Sequence, residues 1–313
     1  MENKNDITSA GSSSEEYHVP VLLQQVLDGL QIKPGGIYVD CTFGGGGHAK
    51  ALLKQLDANG KLFVFDQDAD AAANAPVDDR LVFIPSNFRH LQRFLRLHKV
   101  AAIDGIMVNL GVSSHQFDEA ERGFSTRFDA ALDMRMDRRQ ALTAFDVVNT
   151  YTEQQLHKLF EQYGEVTNAK TLARTIVTVR DTASLKTISN FKAALHAVVK
   201  GNPHKYFAQV FQALRIEVND ELGVLRELLE QIPPLLKPGG RVAIITFHSL
   251  EDRLVKNFFR KGAFEEEEAH PFENAVSASE LKIITKKPIT AEQEELKRNT
   301  RSRSAKLRVA EKM

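Results

Sequence analysis

Cysteine is almost missing from this chain: Cys41 stands alone among 313 residues, which excludes an internal disulfide framework and any cysteine-rich zinc site, and suits a reducing compartment. Charge of one sign is missing too. The 41 Lys and Arg residues are balanced by 41 Asp and Glu, so a uniformly basic nucleic-acid coat is excluded and any contact with a polyanion must be local. No apolar run approaches the roughly 20 residues that span a bilayer, and the opening "MENKNDITSAGSSSEEYH" lacks the apolar core of a secretion signal. These absences lead us to expect a cytoplasmic protein with a disordered polar tail over residues 1–16. The length exceeds a typical domain of roughly 100–200 residues, so one large domain or two intertwined ones are expected.

What is present is an alternation of short apolar runs with amphipathic stretches. "GIYVDC", "KLFVFDQD", "RLVFIPSNF" and "AIDGIMVNLG" read as parallel strands, separated by helical stretches such as "HAKALLKQL" and "FRHLQRFLRL". A fifth strand, "GRVAIITFHS", comes only at residues 240–249. The interval from Leu110 to Lys237 is far longer than one crossover helix, so something is inserted. The inserted stretch is helical in pattern. Thr152 and Gln155 form a capping box, Leu172, Ile176 and Val179 make one stripe, and Phe191, Leu195 and Val198 another. The longest helix is expected to start near Tyr206 and stop at Pro233 and Pro234. The fold class expected is thus α/β, a parallel sheet with crossover helices, with residues 17–112 and 216–313 as a discontinuous domain and 113–215 as a small helical insert placed as a substrate lid. "LKIITKKP" and "SAKLRVAE" suggest a closing antiparallel pair, and the acidic residues 264–280 between them and strand five a solvated loop. The two "KPGG" strings at 33–36 and 237–240 read as turns.

The glycine turn "DCTFGGGGHAK" joins the first strand to a helix. Gly44, Gly46 and Ala49 satisfy the dinucleotide pattern, and Asp66 follows about twenty residues on, so a NAD-dependent dehydrogenase fits by pattern. No Gly-Lys-Ser/Thr follows, which argues against a P-loop. Asp40 favours S-adenosylmethionine instead, because an acid before the glycines repels a pyrophosphate and attracts an ammonium. Asp66 can accept from ribose hydroxyls under either reading. Asn109, at the end of strand four, has a carbonyl oxygen that can orient an exocyclic amine, although a strand-end asparagine also caps turns. His248 and Ser249 fit a base pocket or a turn equally well. "KRNTRSRSAKLR" carries six basic residues and no acid, Arg301 and Arg303 among them, and fits phosphates. Arg122, Arg127, Arg135, Arg138 and Arg139 in the insert fit either RNA or a self-balanced solvated face.

"HVPVLL", "DCTFGGGGH", "FDQD", "LGVSSHQFD", "ERGFS", "LDMRM", "FQALRIEVNDEL", "ITFHSLEDR" and "RSAKLRVAE" together resemble the RsmH (MraW) family, from about residue 17 onward. That resemblance implies a bacterial methyltransferase acting on N4 of cytosine 1402 in 16S ribosomal RNA of the small subunit, with S-adenosyl-L-methionine as cofactor and no metal. It implies a Rossmann-like methyltransferase domain interrupted by a helical domain, and cofactor contacts from Gly46, Gly47, His48, Asp66, Phe88 and Gln116. Asn109, by its place at the end of strand four, is the candidate catalytic residue and a further cofactor contact, and Arg301 and Arg303 of the basic cluster are the candidate substrate-binding residues. Without the resemblance, Phe88 reads as core and His48 as a helix-start residue. The family usually has Asp-Leu-Gly where this chain has Asn109, Leu110 and Gly111, so a catalytically impaired RNA-binding homologue stands beside the enzyme reading. Membranes are not expected as partners; a monomer or a homodimer fits.

Overall fold

The computed structural model describes residues 20–264 and 279–313; the expected tail and nearly all of the expected acidic loop lie outside them. Seven strands form one sheet: β1 (Ile37–Asp40), β2 (Lys61–Phe65), β3 (Leu81–Ile84), β4 (Ile103–Asn109), β5 (Leu236–Thr246), β6 (Leu281–Ile283) and β7 (Lys306–Lys312). Their order is β3-β2-β1-β4-β5-β7-β6. The first five strands pair in parallel, while β7 runs antiparallel to both β5 and β6. Alternate residues face opposite layers. Val39, Phe63 and Ile106 pack with the helices Glu221–Leu235 and Ser249–Lys261, whereas Tyr38, Leu62 and Met107 pack with Leu23–Leu30 and Gly47–Leu53. Covering on both faces explains why these strands read as continuous apolar runs.

After β1 the chain winds to one side, through β2 to β3, and it then returns to place β4 and β5 on the other. The carboxyl ends of β1 and β4 therefore diverge at a switch point, where no crossover covers the crevice. Between β4 and β5 a separate apolar cluster gathers side chains from Phe124 to Val218, including Phe160, Leu172, Phe191 and Leu214. The Thr152–Gln155 capping box opens the helix Glu153–Gln162, as its spacing predicts.

Two expectations are corrected. The long helix is two helices, Pro203–Asn219 and Glu221–Leu235, broken where Asp220 takes a left-handed conformation at φ 50°. Apolar spacing runs unbroken across this point, so periodicity alone does not reveal it. Pro233 and Pro234 lie inside the second helix, whose last turn is kept by burial of Ile232 and Leu235 despite two missing N–H donors. The second "KPGG" is part of β5, as an irregularity. Ile103 pairs with Leu236 and Gly105 already with Arg241, with Gly239 at φ +75° absorbing the excess. Among the described residues, no helix is long and apolar enough to cross a membrane.

Candidate active site

The switch point opens into a cleft of about 1140 Å3. Its floor ties β1 to β4: Cys41 N–H donates to Met107 O at 2.9 Å, and Asn109 N–H to Thr42 Oγ1 at 2.7 Å. The glycine turn rises beside it. Gly44 N–H donates to Asp66 Oδ2 at 2.7 Å, and Asn74 Nδ2 to Gly44 O at 3.1 Å. Gly46, at φ +74°, starts the helix Gly47–Leu53; a Cβ on it would meet Phe43 Cζ at 2.8 Å, whereas one on Gly45 would meet nothing within 4 Å.

Acids outnumber Lys and Arg on the cleft wall. Asp40 is fully buried, and burial is the main reason its carboxyl is pushed up to about 7. Its Oδ1 accepts from Thr42 N–H at 2.9 Å, while Oδ2 has no partner. Asp40 is not on the cleft wall, so a direct contact with an ammonium is closed to it and only its charge reaches through. Asp66 is on the wall. Burial lifts it to about 6, against the lowering effect of N–H donors from Asp68 and Gly44. Next to it, Gln116 Nε2 donates to Asp68 Oδ2 at 2.8 Å, and Arg122, only 2% exposed, reaches the same oxygen at 2.7 Å.

On the opposite wall, Phe247 follows β5 and lies against Gly111, while Glu221 and Glu251 face the cleft. Arg215 holds both oxygens of Glu221, at 2.7 and 3.0 Å. Glu251 Oε2 accepts from Phe247 N–H at 2.8 Å, and its Oε1 lies 3.1 Å from His248 Nε2. Burial pushes the Glu251 carboxyl up, but His248, the Phe247 N–H and Arg215 together bring it below the ordinary glutamate value.

Unpartnered buried atoms concentrate around this cleft. Of the six among the described residues, those of Asn168 and Tyr206 interact with each other in the insert. The other four are Asp40 Oδ2, Asn109 Oδ1, Arg301 Nη1, and His248 Nε2, which Glu251 approaches off the hydrogen-bond direction. Of these four residues only Asn109 and Arg301 line the cleft, and an unpartnered buried acceptor such as Asn109 Oδ1 calls for a polar ligand there. A wall with more acids than bases and this orphan acceptor suits a ligand bearing a cation and donors, as S-adenosylmethionine does, and disfavours the pyrophosphate of a dinucleotide.

The structure brings Gly47, His48, Asp66, Phe88, Asn109, Gln116 and Arg301 to one cleft. Gly46 is beneath the turn, and Gly44 and Gly45 take its place on the wall. His48 is buried, held by its Nε2 to Val21 O at 3.0 Å, and burial lowers its pKa to about 4, so it is neutral. His248 caps the helix Ser249–Lys261 and supports Glu251 instead of lining the cleft. Arg303 is exposed at the surface. Arg301 donates to Asp118 at 2.6 Å and stacks on the Phe117 ring, whose centroid also lies 5.6 Å from Arg127.

The basic clusters shrink on inspection. Arg308 is buried against Asp252, and Arg122, Arg135 and Arg139 are held by Asp68, Asp133 and Asp137. Arg127 and Arg138 remain exposed in the insert. Sequence reasoning missed Glu221, Glu251, Arg215 and Asp68. Glu251, three residues after His248 at a strand end, carried a capping-box signal.

The MraW methylase family matches residues 15–313. Ribosomal RNA small subunit methyltransferase H of Flavobacterium johnsoniae is 54% identical over 303 residues, covering 96% of this chain and 100% of that protein. The protein of the same description from Christiangramia forsetii is 51% identical, over 95% of this chain and 98% of that one. That from Parabacteroides distasonis is 50% identical over the same shares.

Proposed function

The chain belongs to the MraW methylase family, and on that premise we propose that it methylates the exocyclic N4 amine of one cytosine, position 1402, in the 16S ribosomal RNA of the small subunit. S-adenosylmethionine supplies a methyl group made electrophilic by its sulfonium. Asp66 would hold its ribose hydroxyls, the backbone of Gly44, Gly45 and Gly47 would admit its tail, and Phe88 would offer an apolar face to the adenine, with Gln116 fixing the neighbouring turn.

The observation that carries this reading is Asn109 Oδ1: a buried acceptor with no donor, on the wall between the glycine turn and the end of β5. An incoming cytosine amine supplies the missing donor, and the bond turns the nitrogen lone pair toward the methyl. The base must leave its stack to enter the cleft. Residues 113–215 act as the lid over it, with Arg127 and Arg138 on the insert and Lys297, Arg298 and Arg303 on the tail taking RNA phosphates. The protein works in the cytoplasm, where its substrate is, as a monomer or a homodimer.

The test is transfer of labelled methyl from S-adenosylmethionine to unmodified small subunits, run beside naked ribosomal RNA. Label on a single cytosine is expected, with loss of roughly tenfold or more in rate for Asn109→Ala. Absence of label from both substrates overturns the reading.

A further inference from the structure

An amide at position 109 orients an N–H bond but takes no proton, and a neutral amine that gains a methyl must lose one. An acceptor has to stand on the same sheet edge. Ile245 of β5 is the register partner of Asn109, and Leu110 N–H donates to Ile245 O at 3.0 Å. Two residues further on, Phe247 packs against Gly111 and gives its N–H to Glu251. Glu251 is thereby tied to the end of β5, the strand that pairs with β4 at Asn109, and both residues line the same cleft. It is 2% exposed and yet on the cleft wall.

Its charge is the unusual one. Glu221 is matched by Arg215, which takes both of its oxygens. Among the described residues the only direct ion-pair contact of Glu251 is His248, and the Arg215 charge acts on it without touching it. A buried carboxylate with no permanent cation in direct contact is costly, and such groups gather where proton transfer is needed. Glu221, His248 and Glu251 together offer ligand atoms within 4.8 Å of one another, but Arg215 already supplies the cation at that cluster.

We propose that Glu251 accepts the proton released from the cytosine amine, and that His248 positions its carboxylate for this. The assignment rests on the methyltransferase reading above. As the nitrogen lone pair forms the bond to the methyl carbon, the carbon–sulfur bond breaks with its electron pair left on sulfur. The proton leaves nitrogen for a Glu251 oxygen, giving a neutral methylated amine and a neutral carboxylic acid, which later returns the proton to water.

The experiment compares the native protein, Glu251→Gln, Asn109→Asp/Glu251→Gln and His248→Asn, each read for the rate of methyl transfer, for S-adenosylmethionine affinity by calorimetry and for melting temperature. Glu251→Gln is expected to slow transfer by roughly tenfold or more, as loss of a general base does, with cofactor affinity unchanged to about threefold. Adding Asn109→Asp returns a carboxylate to the same edge and is expected to recover about threefold or more of the lost rate, which a purely structural role for Glu251 does not allow. His248→Asn keeps a good helix cap while withdrawing the imidazole, and is expected to slow transfer about threefold or more. A Glu251→Gln rate within about twofold of native, or a double variant as slow as the single one, overturns the proposal. Should Glu251→Gln fail to fold, an unslowed His248→Asn does so instead. A native protein that binds S-adenosylmethionine but labels no cytosine refutes the activity itself, and this assignment with it.

Discussion

The backbone N–H of Gly44 donates to Oδ2 of Asp66 at 2.7 Å, joining the glycine turn after β1 to the acid after β2. Asp66 thus shapes the turn as well as facing the cleft. Asp66→Asn retains an oxygen for Gly44 but replaces one acceptor with a donor. It is expected to weaken S-adenosylmethionine binding by roughly tenfold and, because the amide nitrogen cannot accept from the Asp68 N–H as Oδ1 does, to destabilise the fold by about 1–3 kcal/mol. Calorimetry and a melting curve on the same variant check both halves.

Gly46 and Gly45 are expected to part company. Gly46→Ala would press a methyl against Phe43 from a left-handed backbone, at about 1–3 kcal/mol of destabilisation. Gly45→Ala has open space and should leave stability nearly unchanged. Denaturant unfolding of the two variants decides it, and equal losses would contradict the placement of Gly46 beneath the turn.

Asp40 makes a pH prediction. Burial raises its folded-state pKa to about 7, above the unfolded value, so the unfolded chain releases this proton first. Stability from this group is therefore lost as pH rises from about 4 to about 7. Asp40→Asn removes that loss and keeps an acceptor for Thr42 N–H. The variant should match the native protein near pH 4 and exceed it at pH 8 by ~2–4 kcal/mol. A stability difference that stays flat across this range would refute the burial argument.

Asn219 connects the insert to the break between the two long helices. Its side chain accepts from Met136 N–H at 2.7 Å and donates to Met134 O at 2.8 Å and Arg215 O at 2.9 Å, in a buried position. Asn219→Ala strands those backbone groups and is expected to destabilise by about 2–4 kcal/mol, measured by urea unfolding.

The arginines separate into two kinds. Arg308→Ala, which leaves Asp252 partly buried without its main partner, should lower the melting temperature and leave the salt dependence of RNA binding alone. Arg303→Ala should leave melting unchanged and reduce the salt slope of RNA binding by about 1. Filter binding at several salt concentrations distinguishes them.

Much of this was legible in the chain itself. "GIYVDC" and "AIDGIMVNLG" announce two-faced burial, and the excess length between β4 and β5 announces the insert. The break at Asp220 was hidden because a non-glycine left-handed residue leaves no mark on apolar spacing. Arg122 and Arg308 look like their exposed neighbours in sequence; only the fold supplies Asp68 and Asp252. Glu251 was hidden for a related reason: its N–H partner sits at a strand end and its importance depends on a register, β4 against β5, that links residues more than a hundred positions apart.

That β7 lies between β5 and β6 has a consequence for synthesis on the ribosome. Both neighbours are translated before it, and they touch it rather than each other. Until residues 306–312 have emerged, β5 presents an open edge beside the nascent cleft and β6 has no strand to join. The insert core is complete by residue 218 and the parallel strand pairing by residue 246, so these can form first, but the Lys306–Lys312 segment acts as the closing stitch. The interval between those two events is when this chain is most open to mispairing or to capture by a chaperone.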